Sequence, residues 1–188
     1  MLKAVLATTL CSAAFAASAE PATFAIDPGH TIVTFEALHL GTSTQRGRLQ
    51  AKEGSVVLDR AARTGKAEIT IDMGSISVAS AALQGFLRGE RSFNVAANPS
   101  ARFAADTFTF NGDKLASVAG TLTLNGKTQP VTLKATRFNC YENSQLKREV
   151  CGGDFEGTIQ RSQYGLGFLP QVTPDETPLL IQVEGIRQ

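Results

Sequence analysis

The 188-residue chain has no tryptophan, two tyrosines, two histidines and three cysteines, and its positive and negative side chains almost cancel. Each shortage removes a class of function. The formal charge is +1 and becomes 0 once Lys3 is set aside with the N-terminal leader, because the leader carries no acidic residue. Nucleic acid and anionic lipid surfaces both demand a basic surplus, so neither is an expected partner. A Gly-x-Ser-x-Gly elbow, a phosphate-cradling loop and a dinucleotide fingerprint are all missing, and no cofactor is implied. Long apolar runs are missing too, apart from Ala4 to Ala17, which is shorter than the roughly 20 residues a spanning helix needs. With Lys3 before it and Ala17-Ser18-Ala19 after it, that run reads as a secretory signal peptide over residues 1–19, which leaves a single domain over 20–188.

Export sets the reading of the cysteines. Cys11 leaves with the leader, since Leu10 is bulky where lipid attachment needs a small residue. Cys140 and Cys151 remain, an even number in an oxidising compartment, and a disulfide between them is expected to restrain a long loop by roughly 3 kcal/mol. A redox or metal-binding pair is the alternative, but the spacing is unlike Cys-x-x-Cys and neither histidine is near in sequence.

What the chain has in quantity is alternation. From Gly120 to Leu133, two stretches of alternating apolar and polar residues meet at Asn125-Gly126, a pair suited to the positive φ of a type I′ turn. A two-residue loop sets Leu124 opposite Lys127, Leu122 opposite Gln129 and Val118 opposite Leu133. Val118, Leu122, Leu124, Val131 and Leu133 then share an apolar face, while threonines form the wet one. Similar runs recur at residues 23–27, 31–38, 47–51, 55–59, 66–73, 102–110, 115–124, 131–138, 155–161 and 179–186, which indicates an all-β sandwich or barrel. Leu83, Phe86 and Leu87 break the pattern at helical spacing; Ser80 and Gly89 bracket a short amphipathic helix expected to cover one end. The segment from Pro170 to Pro178 reads as a loop.

Few groups are available for chemistry. His30 and His39 lie near Asp27 and Glu36 in sequence, yet positions 36 and 39 face opposite sides of a strand and His30 follows a Pro28-Gly29 turn, so no metal site is expected. General acid-base work would fall to Asp27, Glu36 or Asp72, each of which has a simpler place at a strand end or in solvent. No catalytic residue is assigned, and the chain is not read as an enzyme. Arg161, in Arg161-Ser162-Gln163-Tyr164-Gly165, is either a clamp for a ligand headgroup or one half of a strand-end ion pair; Tyr164 belongs to the mouth or to the core.

Several segments together resemble the YceI-like proteins, a family of periplasmic polyisoprenoid-binding proteins. They are Ile26-Asp27-Pro28-Gly29-His30-Thr31, Val33-Thr34-Phe35, His39-Leu40-Gly41, Gly47, Asp72 with Ser75-Ile76, Leu87 with Phe93, and Asn98-Pro99 leading to Phe103. Gly120 to Thr128 with Pro130-Val131, and the Arg161 motif, complete the set. Thr31, Ser92 and Asn98 depart from the residues usual in that family, and the segment around Cys140 and Cys151 looks particular to this chain.

The resemblance implies an eight-stranded antiparallel, lipocalin-like barrel holding an isoprenoid or similar amphiphilic lipid, for transport, storage or sequestration in the periplasm. Phe35, Ile69, Ile71, Phe103, Leu122 and Leu124 would line the channel, Leu83, Phe86, Leu87 and Phe93 its lid, and Phe168 a wall beside the mouth, with Arg161 and Tyr164 meeting the headgroup. A tail of roughly forty carbons at about 0.3 kcal/mol per atom would supply about 12 kcal/mol, which is nanomolar binding. Two other readings are a lipid- or quinone-modifying enzyme, marked by a buried carboxylate or histidine facing the headgroup, and an interaction module with a filled core. Oligomeric state is left open, a homodimer being one allowed state.

Overall fold

The computed structural model describes residues 20–188; the expected signal peptide and Cys11 lie outside them. The chain runs β1 (Ala22–Ile26), β2 (Ile32–His39), β3 (Ser43–Asp59), β4 (Thr64–Val78), α1 (Ala81–Arg88), β5 (Ser100–Asn111), β6 (Lys114–Leu124), β7 (Lys127–Asn143), β8 (Arg148–Gln160), a 3-10 turn (Arg161–Tyr164) and β9 (Glu176–Arg187). Every strand pairing is antiparallel, in the order β1-β3-β2-β9-β8-β7-β6-β5-β4, and the β3–β4 ladder closes the ring. β1 and β2 lie end to end between β3 and β9. They form one stave, so nine strands make an eight-stave barrel.

The ten expected runs become nine strands because residues 47–51 and 55–59 belong to one strand, β3, with a register shift between Ala51 and Glu53 where the two runs meet. A bulge bends a strand without ending it. The hairpin around Asn125-Gly126 forms in the expected register, with φ of 51° and 71° at the two turn residues. Thr123 and Thr128 meet on its outer face with hydroxyl oxygens 2.8 Å apart. The cysteines correct the sequence reading: Cys140 and Cys151 are bonded, but they sit directly opposite one another on β7 and β8, not across a long loop.

A larger irregularity in β4 shapes one end of the barrel. Residues 73–76 leave the ladder between the Asp72–Gln50 and Ser77–Arg48 pairs, which turns Met73 and Ile76 into the interior. Asp72 Oδ1 accepts from the Gly74 amide at 2.8 Å, while Ser75 Oγ donates to the Asp72 carbonyl and accepts from the Gln50 amide. Thus Asp72 serves the bulge. The bent strand leads into α1, where Ser80 Oγ accepts from the Leu83 amide and the Gly89 amide donates to Phe86, as the capping pattern requires. Arg88 ties the far end of the helix back to the bulge by donating to the Gly74 carbonyl at 2.7 Å.

The break between β1 and β2 is a turn whose polar groups are satisfied within the turn or by the backbone of β9. Asp27 accepts from the Gly29 amide and pairs with His30 Nδ1, both at 2.8 Å, and buried Thr31 exchanges hydrogen bonds with the backbone of Glu184 on β9. The hydrogen bond between them lowers the Asp27 carboxyl below its ordinary value and raises the His30 imidazole above 6.5. A raised imidazole stabilises fully below 6.5 and loses its contribution as pH climbs through the raised value; the carboxyl loses its own as pH falls through its lowered value. The pair is therefore intact between those two limits. An NMR titration should show His30 ionising above 6.5, and Asp27→Asn should bring it back down; a His30 value insensitive to Asp27→Asn would contradict the pairing.

Candidate lipid-binding cavity

The barrel is hollow. An interior cavity of about 740 Å³ runs from a floor that includes Phe24, Leu58, Phe138 and Cys151 to a mouth among His39, Arg46, Ser80, Leu169 and Val172. Inward positions of every stave feed it. On β2 these are Val33, Phe35 and Ala37, on β4 Ala67, Ile69, Ile71 and Met73, and on the β6–β7 hairpin Val118, Leu122, Leu124, Val131 and Leu133. Period-two alternation places each set on one face of its strand.

All eleven apolar residues expected at the channel, lid and wall line this one cavity: Phe35, Ile69, Ile71, Leu83, Phe86, Leu87, Phe93, Phe103, Leu122, Leu124 and Phe168. Only Ile71 and Leu124 among them are buried, each 8% exposed; the other nine keep more surface exposed although they line the interior. In a filled core their inward faces would touch other side chains and vanish from the accessible surface. The reading of the chain as a filled-core module is overturned by this.

The mouth is framed by three pieces. Helix α1 buries no residue completely, and its Leu83, Phe86 and Leu87 face the cavity. Phe86 meets Phe168 edge to face at 5.2 Å between ring centroids, and Phe93, just after the helix, meets Phe35 at 6.3 Å. Gly47 lies across from Phe35 on β3, and a Cβ there would come within 2.1 Å of the Phe35 ring, so only glycine lets the ring lie flat on the wall. The turn after β2 is held to the loop before β9 by the Leu40 amide, which donates to Val172 at 2.8 Å. Glu36 is engaged at the rim by Arg46 at 2.7 Å.

Two residues expected to meet a headgroup do otherwise. Arg161 lines the cavity but begins the 3-10 turn instead of ending β8, and it spends four of its five N–H groups on backbone carbonyls. Nε donates to Pro174, Nη1 to Leu166 and Phe168, and Nη2 to Thr173, with the Phe168 ring 5.4 Å away. It is neither a free clamp nor a strand-end ion pair but the peg around which the mouth loop is wound. Tyr164 is 1% exposed, belongs to the core and does not line the cavity. Burial raises its hydroxyl pKa. Asp175 caps the turn through the Ser162 hydroxyl and amide, which lower its own carboxyl pKa.

Sequence reading also passed over parts of the site. The floor residues Phe24 and Leu58 sit on strands whose alternation was visible, while the mouth residues Leu169, Val172 and Thr173 lie in a loop with no periodic signal. Among the described residues, no aspartate or glutamate lines the cavity, and its buried polar side chains are Thr31, Ser92, Arg161 and Thr177. Glu149 lies beside Cys140 and Cys151, but the sulfurs are bonded to each other and the carboxylate is held by Arg60 and Arg187.

Comparison with known proteins adds four findings. A family model described as YceI-like domain matches residues 24–185. A UPF0312 protein of Pseudomonas paraeruginosa is 35% identical over 193 residues, covering all of both chains. Among solved structures, Burkholderia cenocepacia BcnA superposes with a TM-score of 0.66 at 21% identity, over 85% of this chain and 98% of that one. A polyisoprenoid binding domain from Saccharophagus degradans, implicated in plant cell wall breakdown, superposes with a TM-score of 0.58 at 13% identity, over 90% of this chain and all of that one.

The carbonyl cage around Arg161 is testable. Arg161→Met should leave those acceptors without a donor and lower stability by roughly 3 kcal/mol, read as a shift in the urea midpoint, with hydrogen exchange accelerating first in residues 165–175. An unchanged midpoint would mean that Arg161 does not organise the loop.

Proposed function

The chain belongs to the YceI-like family, and from that membership and its hollow interior we propose that it is an exported, periplasmic binding protein for an isoprenoid or similar amphiphilic lipid. The leader over residues 1–19 supports export. The observation that carries the lipid reading is an apolar barrel interior whose phenylalanines and aliphatic residues face empty space. Water in such a tube would lack hydrogen-bonding partners, whereas a hydrocarbon chain restores the contacts the wall has forgone. The Saccharophagus degradans domain, which shares the fold, is described as polyisoprenoid binding, and the chemistry of this cavity suits the same class of molecule.

Volume sets the size of the guest. An apolar cavity of about 150 Å³ takes up benzene, so 740 Å³ offers room for on the order of thirty carbons. That is shorter than the forty-carbon tail considered from sequence. At about 0.3 kcal/mol per atom, such a tail contributes roughly 9 kcal/mol, which corresponds to sub-micromolar affinity. Transport, storage or sequestration all follow from this binding; of the buried carboxylate or histidine that would mark the enzyme alternative, the cavity wall among the described residues offers only His39, which is exposed at the mouth.

The test is organic extraction of the purified protein followed by mass spectrometry, run beside Phe86→Asp. The wild type should release an isoprenoid-type lipid. Phe86→Asp, which puts a carboxylate on the cavity face of a helix that buries nothing completely, should stay folded and retain at least tenfold less. Protein recovered without lipid, and unable to take any up after delipidation, would overturn the proposal.

A further inference from the structure

Two leucines at the mouth occupy backbone that leucine rarely adopts. Leu40 has φ of 49° and Leu169 of 48°, whereas every other non-glycine residue in the left-handed region, among the described residues, is polar or charged: Arg63, Asn94, Asn125 and Lys147. A bulky apolar side chain is unfavourable there, and asparagine or glycine is the usual occupant. The molecule supplies its own comparison. Leu40-Gly41 has φ of 49° and 70°, close to the 51° and 71° of Asn125-Gly126, so one turn shape is built with asparagine in one place and with leucine in the other.

The choice is unfavourable in water as well. Leu40 is 59% exposed and Leu169 48%, and Leu38, which points away from the cavity between the lining residues Ala37 and His39, is 41% exposed. The two turns are joined, since the Leu40 amide donates to the Val172 carbonyl and the Val172 amide donates to the Leu169 carbonyl at 2.9 Å. Single exposed leucines are ordinary. Three on the lip of an apolar cavity, two of them held in unfavourable backbone, mark a surface kept for contact.

Charge is distributed to match. Residues 37–45, 77–87 and 162–174, which supply the turn after β2, the approach to α1 with its cavity face, and the loop before β9, contain no lysine, arginine, aspartate or glutamate. At the opposite end of the barrel, Arg60, Arg63, Asp113 and Glu149 face water in ion pairs between the turns. We propose that the lip docks on a lipid bilayer, with Leu38, Leu40 and Leu169 entering its headgroup-acyl boundary, and that the guest passes between bilayer and cavity without crossing water. This rests on the lipid-binding reading above. An uncharged lip offers no ion-pair pattern to a protein partner, while attachment at a bilayer boundary grows with the apolar area buried. A guest of this length is too apolar to travel through water, and the cavity opens beside the three leucines.

Transfer of a radiolabelled polyprenol from phosphatidylcholine vesicles to delipidated protein, with the vesicles removed by centrifugation, tests this. Wild type should take up the polyprenol at a rate proportional to vesicle concentration, and Leu40→Asn should slow it about tenfold. The final partition between protein and vesicles should not change, because Leu40 does not line the cavity. Leu40→Asn should also melt no lower than wild type, since asparagine suits that φ. A Leu40→Asn rate equal to that of wild type, a rate independent of vesicle concentration, or uptake that requires phosphatidylglycerol in the vesicles would overturn the docking and leave the lipid-binding reading in place. A wild-type dimer that Leu40→Asn splits into monomers, with transfer unchanged, would overturn it too and give the lip to a second copy of the chain. If wild type in excess over the vesicles holds no polyprenol at the end point, the lipid-binding reading fails and the docking falls with it.

Discussion

The structure depends on closure of the β3–β4 ladder. An open sheet of this length would need its apolar face covered by a second layer of side chains, and its edges would seek partners. Once the ring is closed, every stave is hydrogen-bonded on both sides, and the backbone alone holds the wall. That frees the interior from the task of holding the fold together. The barrel tolerates a void in which Phe35, Ile69 and Phe103 keep part of their surface uncovered, because the ladders do not rely on those residues meeting across the centre.

The two ends are treated differently, and this asymmetry gives a binding protein its direction. At the floor, Phe24, Leu58 and the Cys140–Cys151 pair form an apolar plug with Phe138 and neighbours. At the mouth, polar groups are used to pin loops: Arg161 collects the carbonyls of its loop, Asn125 donates to the Tyr164 carbonyl, and Asn98 donates to Asn125. The mouth is thus held in shape by hydrogen bonds that do not need a ligand, while the hydrophobic wall below remains unsatisfied until one arrives.

Much of this was legible in the residues. Alternation in β6 and β7, with Asn125-Gly126 between them, determines which side chains face inward, since a slip of one residue would turn the whole set outward. The same alternation in β2 and β4 turns Phe35 and Ile69 inward, as the family resemblance implied, and helical spacing grouped Leu83 with Phe86. That the interior is empty was not readable from the pattern, because a filled barrel alternates in the same way; only the summed volumes of facing side chains decide it. Arg161 was misjudged, and Tyr164 was left between mouth and core, for a related reason. Their roles depend on where a non-periodic loop returns, and nothing local in Gln163 or Gly165 announces that Pro174 and Thr173 will bring their carbonyls to the guanidinium.

The most direct test of the hollow interior is the dependence of affinity on tail length. With polyprenols of increasing length added to delipidated protein, the dissociation constant should fall with each isoprene unit and then level off near thirty carbons, when the roughly 740 Å³ is full. An affinity indifferent to tail length from the shortest member onward would contradict the account.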